Sequence, residues 1–153
     1  IASNCKVKIK SRDTFKRGIL SILYGANEYT TSKVMQTDAN TVKRIKEELG
    51  INDLKTRLEK EYHENSFVLN YYGRPITSDN NLVNYWIQSS TVDFCSLAFY
   101  YFCKENNVTP SFFIHDSMSF EVEKERLNKI MSISNIVDPK SNISIPVEFN
   151  ILS

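Results

Sequence analysis

The chain reads as an α+β protein: a helical first part, then part of an antiparallel sheet with helices packed on it. Three features predict this. Residues 11–65 carry apolar side chains at helical spacing, interrupted where Gly25, Asp38 and Gly50 supply stops or caps. From residue 67 the pattern turns to short extended runs, FVLNYY and ITS, around Gly73-Arg74-Pro75. Near the C-terminus two apolar runs, SFFI and MSFEV, flank the polar His115-Asp116-Ser117, which reads as a hairpin with a polar tip.

Taken in order, residues 1–10 are a basic approach segment. Ser11 is a suitable N-cap for a helix running to about Tyr24, which Gly25 ends. A short helix is expected at 31–35. Asp38 can cap the next, TVKRIKEEL, which stops at Gly50. Asn52 can cap DLKTRLEKEYHEN, with Leu54, Leu58 and Tyr62 on one face. The long apolar stretch 81–105 predicts a buried helix, since it exceeds any ordinary strand. EKERLNKIMS predicts a short amphipathic helix, and ISIPVEFNIL a final strand. A small sheet backed by helices accommodates this order, with one region at 1–66 and a second at 67–153.

At 153 residues the chain can bury a core, and its net charge is +1. The balance is uneven: residues 1–60 hold 13 Lys+Arg and 7 Asp+Glu, residues 61–153 hold 6 and 11. A basic first part suits phosphates and an acidic second part suits a metal, although two solvated faces would look the same. No apolar run is long enough to span a membrane, and no secretory signal is visible. Cys5, Cys95 and Cys103 are odd in number and lack metal-ligand spacing, which suits a reduced, intracellular protein. A chain that opens on Ile1 is expected to be a piece of something longer.

Three constellations carry chemistry. The run RDTFKRGILSILYGA places Arg12, Lys16, Leu20 and Tyr24 four residues apart, with Gly25 next. On a helix these form one stripe. Arginine forks onto phosphate oxygens, lysine supplies a mobile point charge, and the apolar and aromatic end suits a sugar and base. A solvated cationic face beside a core tyrosine is the plainer account. The second is His115-Asp116: a carboxylate on a tight turn between two buried strands can hold Mg²⁺, or simply bond its own turn. The third is Asn84 and Gln88, one turn apart, with Asp93 beyond. Amides in an apolar helix need partners, either in a buried network or among the acceptors of a minor groove.

In order and spacing these constellations resemble the C-terminal catalytic region of family A DNA polymerases, over nearly the whole chain. The family's fingers helix carries R-x3-K-x3-[F/Y]-x3-Y-G; here it reads Arg12, Lys16, Leu20, Tyr24, Gly25. GRPI at 73–76 is similar to the turn before the long palm helix. NYWIQSSTVDF at 84–94 resembles the stretch that contacts the primer-template minor groove, in wording close to mitochondrial replicative and some phage enzymes. FFIHDSMSFEV resembles the metal-binding motif C, and IPVEFNI the closing palm strand.

The resemblance implies fingers helices at 1–66, with the nucleotide helix at 11–25, and the C-terminal part of the palm at 67–153. It implies template-directed transfer of a nucleotide from a dNTP to a primer 3′-hydroxyl. Arg12 and Lys16 would bind the triphosphate with Leu20 and Tyr24 beside them, and Lys16 and Asp116 would be catalytic. Asp116 would ligate Mg²⁺. Asn84, Gln88, His115 and Gly25 would face primer-template DNA. A phage protein in the infected host's cytoplasm, or a mitochondrial or other organellar one, would fit.

Three departures mark the chain. Leu20 stands where many members carry Phe or Tyr, Asn80 where bacterial relatives carry a DNA-contacting Arg, and Ser117 where an acidic residue is usual. HDS is also the wording of single-subunit RNA polymerases, so a fragment of such an enzyme is the alternative. A non-catalytic primer-template-binding module that kept the fold is another. The DYSQIELR-like motif A, which carries the second metal-binding Asp, has no counterpart in residues 1–11. Two-metal transfer needs carboxylates that hold ions about 3.5–4 Å apart. The expectation is therefore that motif A lies on a removed segment or a separate subunit, and that this chain alone is inactive.

Overall fold

The computed structural model describes residues 11–114 and 117–151. The elements run α1 (Arg12–Leu23), α2 (Glu28–Met35), α3 (Ala39–Glu48), α4 (Ile51–Asn65), β1 (Val68–Leu69), β2 (Pro75–Ile76), α5 (Leu82–Asn106), β3 (Pro110–Ile114), β4 (Ser117–Phe120), α6 (Lys124–Met131), β5 (Asn135–Val137) and β6 (Ser144–Pro146). The mixture of helix and strand is the α+β class in its coarse sense. The strands do not form one small sheet, however. Among the described residues they make three separate antiparallel pairs, β1–β2, β3–β4 and β5–β6. The chain divides into two compact units, residues 1–89 and 90–153, with the division inside α5.

In the first unit, local signals set the helix starts. Ser11 Oγ accepts from Thr14 N at 3.1 Å and Asp38 Oδ1 from Thr41 N at 2.8 Å, both as expected of N-caps. The Thr41 hydroxyl also donates to Asp38, and that bond leads the causes holding the Asp38 carboxyl below its ordinary value. Two starts differ from expectation. α2 begins at Glu28 rather than Thr31, because Asn27 Oδ1 accepts from Thr30 N and caps it earlier. α4 begins at Ile51, so Asn52 lies inside its first turn; Gly50 takes the cap position in a left-handed conformation without a side-chain bond.

Two apolar clusters fill this unit. Ile22, Met35, Val42 and Ile45 join α1, α2 and α3. Leu58, Val68, Ile76 and Leu82 join α4 to the β1–β2 pair and the start of α5. Gly18 permits the closest approach: a Cβ built there would stand 1.9 Å from Met35 Cγ and 2.6 Å from its Sδ. Gly18→Val should therefore lower stability by about 2–3 kcal/mol despite glycine's poor helix propensity. A fall in the denaturant midpoint with an unchanged slope is the expected readout; an unmoved midpoint would contradict this packing.

Polar groups tie the unit together. Lys46 Nζ, with a side chain only 14% exposed, donates to the Ala26 carbonyl at 3.0 Å and to Glu28 Oε1 at 2.9 Å. The hydrogen bond from Lys46 holds the Glu28 carboxyl below its ordinary value. Asn70, buried between the strands, organises the GRPI turn: its Oδ1 accepts from Tyr72 N and Arg74 N, each at 2.9 Å. Trp86 Nε1 donates to the Leu69 carbonyl at 2.9 Å, with the Arg57 guanidinium over its ring.

The second unit packs Ala98, Phe102, Cys103, Val108, Ile130 and Ile136 into one cluster, with Phe120 and Phe149 against Phe102. Burial pushes the Cys103 thiol up. β3 pairs with β4 from Pro110↔Phe120 to Ile114↔Ser117, as the two apolar runs suggested. Three expectations need correction here. β3 is exposed along its whole length, so the hairpin is not made of two buried strands. α5 is a helix as expected but only partly buried: Tyr85, Val92 and Tyr100 reach solvent, because its apolar residues encircle it and no single face can cover them all. Among the described residues the final strand is only Ser144–Pro146, and it pairs with a short β5 that the sequence pattern does not announce.

Candidate functional site

The α1 stripe lies on one exposed face. Arg12, Lys16, Leu20 and Tyr24 are all accessible, Leu20 by 41% and Tyr24 by 56%, while Thr14, Gly18 and Ile22 on the other side are buried. Two interleaved four-residue series thus divide the helix, one for the core and one for solvent. Tyr24 is not the core tyrosine of the plainer account. Among the described residues neither Arg12 nor Lys16 forms an ion pair, so both cations face water. Such cations can exchange water for phosphate without first breaking a protein contact.

Tyr24 closes α1 at its C-cap, and Gly25 follows at φ +81°, a left-handed conformation that glycine adopts without strain. The Tyr24 hydroxyl reaches α5. Gln88 Nε2 donates to Tyr24 Oη at 2.9 Å and to Asn84 Oδ1 at 3.1 Å. Residues singled out separately in sequence, 64 positions apart, are therefore in direct contact. The two amides find partners, but not in a buried network: Gln88 is exposed and Asn84 half-buried. A cleft of about 340 Å³ opens beside them, lined by Tyr24, Gly25, Asn81 and Asn84, with Lys46 and Lys55 also on its wall.

His115 and Asp116 lie outside the described residues; the paired Ile114 and Ser117 bracket them. Ser117 Oγ donates to the Ile114 carbonyl at 2.9 Å. Among the described residues no group of three or more His, Cys, Asp or Glu side chains converges as a metal site, and no helix is long and apolar enough to cross a membrane.

Sequence reasoning gave no role to two polar residues near this site. Lys46 fastens the 26–28 turn that follows Tyr24 and Gly25. Arg74 Nη2 donates to the Ser89 carbonyl at 3.1 Å, next to Gln88 on α5. Nothing in local pattern marks Lys46, whereas Arg74 lies in the Gly73-Arg74-Pro75 turn that the sequence does show. No protein-family model and no curated protein sequence matches this chain.

Proposed function

We propose that the chain is the fingers and C-terminal palm of a family A DNA polymerase, one component of a template-directed nucleotidyltransferase. The primer 3′-hydroxyl gives its proton to solvent as its oxygen attacks the α-phosphorus of a dNTP, the bond to the bridging oxygen breaks, and pyrophosphate leaves. Such catalysis is mainly positioning and charge stabilisation. Arg12 and Lys16 hold the triphosphate, and Lys16 gives a proton to the departing pyrophosphate. Leu20 and Tyr24 lie toward the sugar and base. Gln88, Asn84, Gly25 and His115 face the primer-template.

Asp116 is the proposed ligand for Mg²⁺, which when bound neutralises triphosphate charge and lowers the barrier to displacement. The second carboxylate is supplied from outside these 153 residues, by a further segment or a partner subunit. The Tyr24–Gln88 hydrogen bond is the observation that supports this reading most. It joins the proposed triphosphate helix to the proposed duplex-reading helix, as a site holding both ligands requires.

Incorporation of dNTP against rNTP in the complete assembly tests the reading against its nearest rival. A strong preference for dNTP is expected. A preference for rNTP would assign the chain to a single-subunit RNA polymerase instead.

A further inference from the structure

The resemblance implies Tyr24 at the nucleotide and Gln88 at the duplex, yet the two side chains share a hydrogen bond. Gln88 Nε2 has two protons, and both are engaged: one on Tyr24 Oη at 2.9 Å, one on Asn84 Oδ1 at 3.1 Å. An amide held at two points has its rotamer and its oxygen–nitrogen orientation fixed together. Gln88 then presents an acceptor, Oε1. Asn84 Nδ2 and the Tyr24 hydroxyl proton are the donors beside it. Every base pair offers minor-groove acceptors, and guanine adds an amino donor. Two donors and one acceptor suit such an edge.

We infer that Tyr24 is a positioning residue for Gln88, its hydroxyl holding the amide in the orientation in which this cluster meets the minor groove. For its ligand the inference rests on the polymerase reading; the tether itself does not. The consequence is that the end of the triphosphate helix and the duplex-reading amides move as one unit. A shift in the fingers helix alters primer contact, and the reverse.

Two measurements test it. The chain contains two glutamines, Gln36 and Gln88, so glutamine-selective ¹⁵N labelling of the full chain yields two side-chain amide pairs. The Gln88 pair should lie away from free-glutamine shifts and move toward them in Tyr24→Phe, the Asn84 bond remaining, while an unchanged far-UV circular dichroism spectrum reports that the fold persists. A Gln88 pair unmoved by Tyr24→Phe overturns the tether. Primer-template affinity is then compared in the complete assembly for wild type, Tyr24→Phe, Gln88→Ala and the double variant. Each single change should weaken binding about three- to tenfold, the scale of one hydrogen bond, and the double should be no weaker than the weaker single. Fully additive losses, or wild-type affinity in Tyr24→Phe, overturn the positioning role. A wild-type assembly that shows the displaced Gln88 pair but binds no primer-template upholds the tether and contradicts the polymerase reading.

Discussion

Replacing Asp116 with Asn in the complete assembly should abolish dNTP incorporation while leaving primer-template binding nearly intact. Asparagine keeps the size and an acceptor oxygen but removes the negative charge that holds a hard divalent cation. Metal stabilisation of the charge that develops during phosphoryl transfer is worth several kcal/mol. Loss of one ligand should therefore slow single-turnover incorporation by about 10³-fold or more, about 4 kcal/mol of barrier. The variant should still bind duplex, because steep salt dependence comes from Lys and Arg neutralising phosphates and not from the metal. A variant that incorporates within tenfold of wild type would remove Asp116 from the mechanism. Equal loss of binding and incorporation would point to a structural role instead.

Lys16→Ala should cut kcat/KM for dNTP by about 10²- to 10³-fold, about 3–4 kcal/mol, with most of the loss in kcat. Lys16 stands one helical turn beyond Arg12 on the exposed face of α1, without an ion-pair partner among the described residues. Its removal should leave no competing carboxylate behind and little change in stability. Lys16→Arg keeps the charge but not the compact ammonium, and should recover binding better than turnover if proton donation to pyrophosphate matters. Arg12→Ala should act mainly through KM, because a phosphate clamp made equally in the ground and transition states gives uniform binding. Near-normal turnover in Lys16→Ala would sink the triphosphate assignment.

The parts of this protein that were legible in sequence are those set by neighbours along the chain. Ser11 and Asp38 cap helices because each side chain reaches a backbone N–H three residues on, a relation visible in the sequence itself. That Arg12, Lys16, Leu20 and Tyr24 share one stripe follows from helical geometry; that Leu20 and Tyr24 are exposed on it does not. Asn27, visible in the sequence, caps α2 through Thr30 N and sets its start ahead of Thr31. Strand pairing was harder. SNIV at 134–137 is too short to announce a strand, and it becomes one only by pairing with Ser144–Pro146. Likewise, α5 was recognisable by length, but how far it is buried depends on what packs around it. The Tyr24–Gln88 bond spans 64 positions and no period encodes it; only the resemblance set those residues in one site. Gly18 carried no visible signal either, because its reason is the approach of Met35 from another helix.

The most direct test of the central claim is single-turnover primer extension, with Mg²⁺ and the templated dNTP, by this chain assembled with the segment or subunit that supplies the second carboxylate. The expected result is addition of the templated nucleotide with release of one pyrophosphate, and no extension by the 153-residue chain alone. Salt-sensitive binding of primer-template without extension, whatever divalent cation is present, would contradict it and leave a nucleic-acid-binding module in its place.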